Sequence, residues 1–498
     1  MSSSRLTAAR RAADIETLRS GAVIDLLVIG GGITGAGVAL DAASRGLDVA
    51  LVEREDLAAG TSRWSSKLAH GGLRYIAAGQ LAVAWESAVE RNHLLRTIAP
   101  HLVQPMRFVI PVVAGAGRAE RAAGRVGFGI ADAMRAAART PTLLPPTRWV
   151  DGAEARALVP ALAPTFSRAA VHVDGCLEDD ARLVVGIART AASYGARIVT
   201  HCRAGDVTSE GATVTDAVSG ESFDVRARCV VVAAGVWSGG LVANVRLQPS
   251  KGSHLLLRAE AVGAPTSAFN ILVPGTRNRF VFAVPRPDGI VQVGLTDDAV
   301  DGVVDEPAVT DADEEFLLGT LSSGLRTEVT TADVVGRFAG LRPLLGRAHG
   351  ASAADLSRRH ALLDRGGVLV LVGGKLTTYR RMAQDAVDRV VHRLGRGGAC
   401  ITTTLPLVGA RAASGNGDEL PARLRRRFGT EAAAVAGCGP AGPIAPGLPM
   451  LDCEARWAVL AEGAVTAGDV ERRLRLDLVP AWRTAAAPHV EELLSSGR

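Results

Sequence analysis

The sequence predicts an α/β protein: a discontinuous Rossmann-like dinucleotide-binding domain, an inserted β-rich cap and a C-terminal α-helical domain. Three observations carry that reading. Residues 25–53 run through strand, glycine turn, helix, strand and acid. Strand-patterned segments then interrupt the chain before a second Gly-Gly turn at Gly373-Gly374. Residues 419–495 are Arg- and Ala-rich with a helical pattern.

The opening unit is the most informative. Leu26 to Ile29 form a short apolar run that reads as a buried parallel strand and enters Gly30-x-Gly32-x-x-Gly35. Ala36, Val38, Ala39, Leu40, Ala42 and Ala43 support a helix, and Val49 to Val52 form a second strand ending on Glu53. Glycines permit the tight turn and the close approach of a pyrophosphate, while the helix N-terminus offers free N–H groups and a positive dipole. Glu53 follows Gly35 by 18 positions, where a carboxylate can accept ribose hydroxyls.

Composition bounds the rest. At 498 residues, 48% hydrophobic and 4% aromatic, the chain can bury a large Ala/Val/Gly-rich core over several domains. A net charge of +5 gives no argument for nucleic acid but suits an anionic ligand or an anionic membrane surface. The six cysteines are scattered without metal-ligand spacing, so no metal is expected and a reducing compartment fits. The N-terminus lacks the apolar run of a signal peptide, and the apolar stretches near 230–236 and 368–372 are too short to span a bilayer. A soluble or peripheral protein is expected. Lysine is scarce: Lys67, Lys251 and Lys375 stand against 53 arginines. Such a bias leaves Lys where a planar guanidinium cannot replace a compact ammonium.

In chain order, residues 1–21 are polar and expected to fray. Residues 60–75 pack hydroxyls, cations and a Gly-Gly pair without periodicity, a loop suited to wrapping phosphates and an isoalloxazine ring. Residues 81–99 read as an amphipathic helix closed by Pro100. Residues 117–139 interleave Arg118, Arg121, Arg125, Arg135 and Arg139 with Val126, Phe128, Ile130 and Met134. Two readings stay open there: a surface helix with a solvated basic face, or a membrane-apposed amphipathic segment. The acidic cluster from Asp174 to Asp180 reads as a helix cap rather than a metal site. Cys229 to Ala233 form a strand, and further strands are predicted at 254–258, 279–284 and 290–295. Val368 to Val372 lead into Gly373-Gly374-Lys375-Leu376-Thr377-Thr378, a second helix start placed for an anionic or carbonyl group.

The expected domains are a flexible 1–21; a cofactor domain of 22–99, 171–250 and 333–395; a cap of 100–170 and 251–332; a linker of 396–418; and a helical domain of 419–498. A nicotinamide dehydrogenase keeps its binding fold contiguous, so the interrupted one favours FAD, making this an FAD-binding domain with a substrate cap.

Together these segments resemble the FAD-dependent, quinone-linked glycerol-3-phosphate dehydrogenases, strongly over about 22–395. The resemblance rests on the Asp25-to-Gly37 string, on Ser65-Ser66-Lys67-Leu68 with His70-Gly71-Gly72-Leu73-Arg74-Tyr75, and on Lys251-Gly252-Ser253-His254. Leu341-Arg342-Pro343-Leu344 and Gly373-Gly374-Lys375-Leu376-Thr377-Thr378-Tyr379-Arg380 complete it. Thr466 to Arg473 is similar to the family's helical-domain signature, with Leu474 where the family carries Thr.

The resemblance implies FAD on Gly30, Gly32 and Gly35 with Glu53 on the ribose. Ser65, Ser66 and Lys67 would sit by the diphosphate and flavin, and Gly374, Lys375, Leu376 and Thr377 by the ring's pyrimidine edge. It places Arg74, Tyr75, His254, Arg342, Arg358 and Lys375 on the substrate, with His254, Arg342 and Lys375 catalytic. The implied reaction oxidises sn-glycerol 3-phosphate to dihydroxyacetone phosphate and passes electrons to a membrane quinone. His254 serves either as the base or as a hydrogen-bond donor to the phosphate. A cytoplasmic enzyme, peripheral on the inner face of the plasma membrane, is expected, with no nucleic-acid partner and a homodimer left open. Two alternatives are an oxidase reducing oxygen to peroxide and a non-catalytic FAD-binding sensor.

Overall fold

A computed structural model describes residues 3–77, 79–112, 118–138, 143–276, 279–345, 359–410 and 419–496; the side chains of 74, 77, 118–123 and 496 are outside that description. The fold is mixed α/β, with two sheets and a helical C-terminal unit.

The cofactor sheet follows the apolar runs of the sequence. Its order is His360–Arg365, Val368–Gly373, Ser222–Val232, Ile24–Ile29, Val49–Val52 and Arg197–Val199. All neighbours pair in parallel except the first two strands, which are antiparallel. Ile24–Ile29 and Val49–Val52 are buried along their whole length, as a strand covered on both faces must be. One face is covered by helices Ile33–Ser44, Asp180–Ser193 and Tyr379–Leu394, whose Leu40, Val184 and Met382 share one core cluster.

The second sheet is mixed and lies over the carboxyl ends of the first. It contains Val103–Pro111, Arg168–Leu177, Leu247–Arg258, Ala268–Leu272, Phe280–Pro285, Ile290–Gly294 and Val334–Leu345. Boundaries expected at 170/171, 250/251 and 332/333 differ from this pairing. Arg168–Leu177 and Leu247–Arg258 belong wholly to the second sheet, and Val334–Leu345 pairs with Leu247–Arg258 over its length. A strand's own sequence does not say which sheet it joins.

The N-terminal expectation also needs correction. Ala8–Arg19 is a helix, capped by Thr7 Oγ1 accepting from the Arg10 N–H, with Ile15 and Leu18 buried. Arg11 reaches Asp216 (2.6 Å) and the Thr200 carbonyl (2.9 Å), pinning it to the body. The expected linker is likewise packed where described: Leu405 and Leu407 enter the main core, while 411–418 lie outside the described residues.

The C-terminal unit is helical, at Ala422–Phe428, Ala432–Ala436, Asp452–Ala461, Ala467–Leu474 and Pro480–Ser496. Many of its arginines are buried rather than solvated. Arg473 pairs with Asp56, Arg427 with Asp179 and Glu454, and Glu462 with Arg182, all across buried surface. Among the described residues no helix is long and apolar enough to cross a membrane.

Candidate functional site

A cavity of about 2320 Å³ lies between the carboxyl ends of the first sheet and the second sheet. Pockets for drug-sized ligands span roughly 300–1,000 Å³, so this one has room for a dinucleotide and a substrate together. Its wall includes Gly30, Gly32, Glu53, Ser65, Ser66, Tyr75, His254, Arg342, Gly374, Lys375, Leu376 and Thr377, bringing most of the sequence-predicted site into one space.

At the glycine turn the fit is steric. Gly30 has φ +116°, and a Cβ there would lie 2.6 Å from the Ala233 carbonyl oxygen. A Cβ on Gly35 would strike the Gly30 carbonyl at 1.8 Å, so Gly35 works by letting helix and strand close together and is not on the cavity wall. Gly32 begins helix Ile33–Ser44 without a side-chain cap, and Gly32, Ile33 and Thr34 face the cavity. The Glu53 carboxylate accepts from the N–H groups of Gly31 (2.6 Å) and Glu55 (2.9 Å). Burial raises its pKa, and those two donors offset part of the rise. A helix start facing the cavity, where the Ile33 N–H meets Ser62 Oγ (2.9 Å), and an adjacent carboxylate able to accept ribose hydroxyls fit a dinucleotide such as FAD.

The loop 60–75 forms the floor beyond the turn. Ser65 gives its backbone N–H (3.0 Å) and hydroxyl (2.7 Å) to Asp180 Oδ2. Ser66 Oγ stands within hydrogen-bond distance, 3.1 Å, of His254 Nε2. Lys67 departs from the expectation of a place beside the diphosphate and flavin. Its Nζ turns away behind the wall, 3.3 Å from Asp180 Oδ2 and 4.9 Å from the Phe338 ring centre. Its backbone is left-handed, φ 56°, and its Nζ shares the Asp180 Oδ2 acceptor with the Ser65 hydroxyl. Burial pushes its pKa down to about 8 despite the attraction of Asp180.

His254 comes from strand Leu247–Arg258, opposite Phe338 in register. Its imidazole is 1% exposed and stacks on Phe338 with ring centres 4.6 Å apart. Burial first, then the charges of Lys67 and Arg342, hold its pKa well below the ordinary 6.5. The ring is therefore neutral near pH 7, the state in which it can accept a proton.

The cations come from two other elements. Arg342 projects from Val334–Leu345, with Nη1 2.9 Å from Asp297 Oδ1 and 3.3 Å from Ser250 Oγ. Lys375 follows the Gly373-Gly374 turn; its Nζ donates to Ser87 Oγ and sits 4.2 Å from the Tyr75 ring centre. Tyr75 is buried on helix Leu73–Ala77. The side chain of Arg74 and all of Arg358 lie outside the described residues.

Sequence reasoning missed the groups that hold these side chains. Asp297 and Ser250 steady Arg342, Ser87 receives Lys375, and Asp180 anchors Ser65 and Lys67. Asp297 and Asp180 each stood in a visible acidic run, but their partners are distant in sequence. Ser87 carried no signal at all.

Residues 118–137 form a helix, as the surface-helix reading expected, in spite of the glycines within it. Its Ile130 and Met134 pack toward Tyr75 and Val83, and Arg135 is buried against Asp132. Arg125 and Val126 remain exposed at the cavity's edge, with Arg125 over the Trp149 ring; Arg139 and the side chains of Arg118 and Arg121 are outside the described residues.

Comparison with known proteins agrees with this geometry. The family model for FAD dependent oxidoreductases matches residues 25–389. The chain is 45% identical to glycerol-3-phosphate dehydrogenase 1 of Mycobacterium tuberculosis over 99% of both chains. The structure of glycerol-3-phosphate dehydrogenase from Bacillus halodurans complexed with FAD superposes with a TM-score of 0.74 at 25% identity, covering 99% of this chain and 94% of that one. L-alpha-glycerophosphate oxidase from Mycoplasma pneumoniae with FAD bound shares the fold at TM-score 0.57 and 18% identity, over 78% and 99% of the two chains.

Proposed function

We propose that this chain, which belongs to the FAD-dependent glycerol-3-phosphate dehydrogenase family, oxidises the secondary alcohol of sn-glycerol 3-phosphate to dihydroxyacetone phosphate and delivers the electrons to a membrane quinone. The observation that carries the chemistry is the convergence of a buried neutral His254 with Arg342, Lys375 and Tyr75 on the wall shared with the glycine turn. Bound FAD, held by Gly30, Gly32, Glu53 and the Gly374–Thr377 turn, supplies the two-electron acceptor.

The chain's own residues divide the remaining work. His254 takes the substrate hydroxyl proton, and Ser66, whose Oγ meets Nε2 in the substrate-free site, orients its ring and gives way to the substrate hydroxyl there. Arg342, on the cavity wall, meets the dianionic phosphate, because a planar guanidinium fork matches phosphate oxygens in pairs. Lys375 adds a compact positive charge, aimed by Ser87 and the Tyr75 ring.

The quinone reading places the protein at an anionic membrane surface on the cytoplasmic side. It is supported by Val126, 62% exposed, and Arg125 on the helix that borders the cavity. Turnover with a short-chain quinone, run beside turnover with oxygen alone, tests the acceptor. Quinone reduction with little peroxide is expected. Peroxide formed at the same rate without quinone makes the chain an oxidase.

A further inference from the structure

A buried line of charge runs from the C-terminal helices to the floor of the cavity. Arg475 directs Nη1 at Asp180 Oδ1 (2.7 Å) and Nη2 at the Arg63 carbonyl (3.1 Å). The other oxygen of Asp180 accepts from the N–H and hydroxyl of Ser65 and from Lys67 Nζ. Ser65 Oγ accepts in turn from the Lys67 N–H (3.0 Å), and Ser66 between them meets His254. The side chains of Asp180, Lys67 and Arg475 are 0%, 4% and 5% exposed, so their contacts with one another are shut off from solvent.

The loop has little of its own to hold it. Before helix Leu73–Ala77 its regular structure is the single turn Thr61–Arg63 and the two-residue strand Leu68–Ala69. Lys67 sits at φ 56° and Arg475 at φ 65°, conformations that a residue with a Cβ keeps only where its surroundings over-determine them. One Asp180 oxygen accepts from Arg475 and from the Ala181 N–H, and the other faces the loop, so Arg475 shares in setting the plane of that carboxylate. Neither Arg475 nor Asp180 lines the cavity.

The geometry points to the C-terminal helical domain as a positioning element of the reaction centre: Arg475, acting through Asp180, holds the Ser65–Lys67 segment, and with it Ser66, against His254. This rests on the reading of the cavity as the place where substrate meets FAD. Docking of the domain does not depend on Arg475 alone. Arg473 grips Asp56, and Leu478 and Val479 pack on Phe338 and Leu256. Loss of Arg475 should therefore loosen the loop while leaving the domain in place.

The test uses the full chain loaded with FAD and compares wild type, Arg475→Gln and Arg475→Lys by hydrogen exchange and by turnover of glycerol 3-phosphate. In Arg475→Gln, amides of residues 63–68 should exchange about tenfold faster while those of 24–29 keep their protection. The same variant should lose about tenfold in kcat with KM moved less than about threefold, and Arg475→Lys should recover most of both. Arg456→Gln, which breaks the half-exposed Arg456–Asp452 pair in the same domain, should stay within about twofold of wild type. Should Arg475→Gln not fold, Asp477→Asn removes the outer anchor of Arg475 and Arg63, and should shift exchange about threefold in the same direction. Unchanged exchange at 63–68, or a kcat loss that Arg475→Lys does not reduce, overturns the proposal. If wild type fails to oxidise glycerol 3-phosphate, the functional reading falls, while the exchange comparison still decides whether Arg475 tethers the loop.

Discussion

His254 Nε2 lies 3.1 Å from Ser66 Oγ, which joins the buried imidazole of the second sheet to the loop that follows the glycine turn. With burial and two nearby cations holding the ring's pKa well below 6.5, the base is ready at neutral pH. His254→Gln should lower kcat by roughly 10²–10⁴ while FAD stays bound. In wild type the acid limb of the kcat/KM profile should fall below pH 6.5. A limb at or above 6.5, or a variant with near-normal kcat, would remove His254 from the role of base.

Arg342→Ala should act mainly on KM, because a charge-assisted contact to phosphate is lost at a cost of roughly 2–4 kcal/mol. Asp297 then stands without its guanidinium, so Arg342→Lys should recover only part of the loss. Glycerol itself should lose much of its disadvantage against glycerol 3-phosphate in the Ala variant. An unchanged preference would make Arg342 structural.

How far the sequence could reach is visible in these same residues. The strand, turn and helix around Gly30 were legible because the pattern that makes them is contiguous in sequence, and so was the Gly373–Thr378 turn. Arg342 was legible as a motif residue, but its partner was not. Ser250 and Arg342 face each other only because two strands far apart in sequence pair in that register. Lys67 was read as a cofactor contact, and its Nζ meets Asp180 instead, a partner 113 residues away that its own motif does not reveal. Ala8–Arg19 was read as frayed because its mean polarity hides Ile15 and Leu18, three positions apart on one face.

Acid should weaken the grip of the C-terminal domain. Burial alone would raise the pKa of Glu462, but Arg182, Arg189 and Arg473 outweigh it and hold it at about 2 against an ordinary 4.5. Its contribution to stability is therefore complete above about pH 4.5 and is lost as pH falls through about 2. Thermal midpoints measured from pH 7 down to pH 3 should drop in that window. Glu462→Gln should be less stable at pH 7, by about 3–5 kcal/mol, and should show a shallower acid drop. Equal stability of the two proteins at pH 7 would mean the buried pair contributes nothing.

Membrane contact is tested by vesicle co-sedimentation with anionic lipid at physiological salt. Each basic residue near such a surface contributes on the order of 1 kcal/mol, so changing Arg118, Arg121 and Arg125 together to Glu should abolish most of the binding. Equal sedimentation of the variant would take the helix Arg118–Ala137 out of the interface and direct attention to the C-terminal helices.

The central claim is that this cavity joins FAD to glycerol 3-phosphate. Its most direct test is to mix the purified FAD-loaded protein with glycerol 3-phosphate in the absence of oxygen and follow the visible absorbance of the oxidised flavin. The account predicts prompt bleaching with glycerol 3-phosphate, much weaker bleaching with glycerol, and recovery of the colour when a quinone is added. A flavin that stays yellow in saturating glycerol 3-phosphate would contradict it.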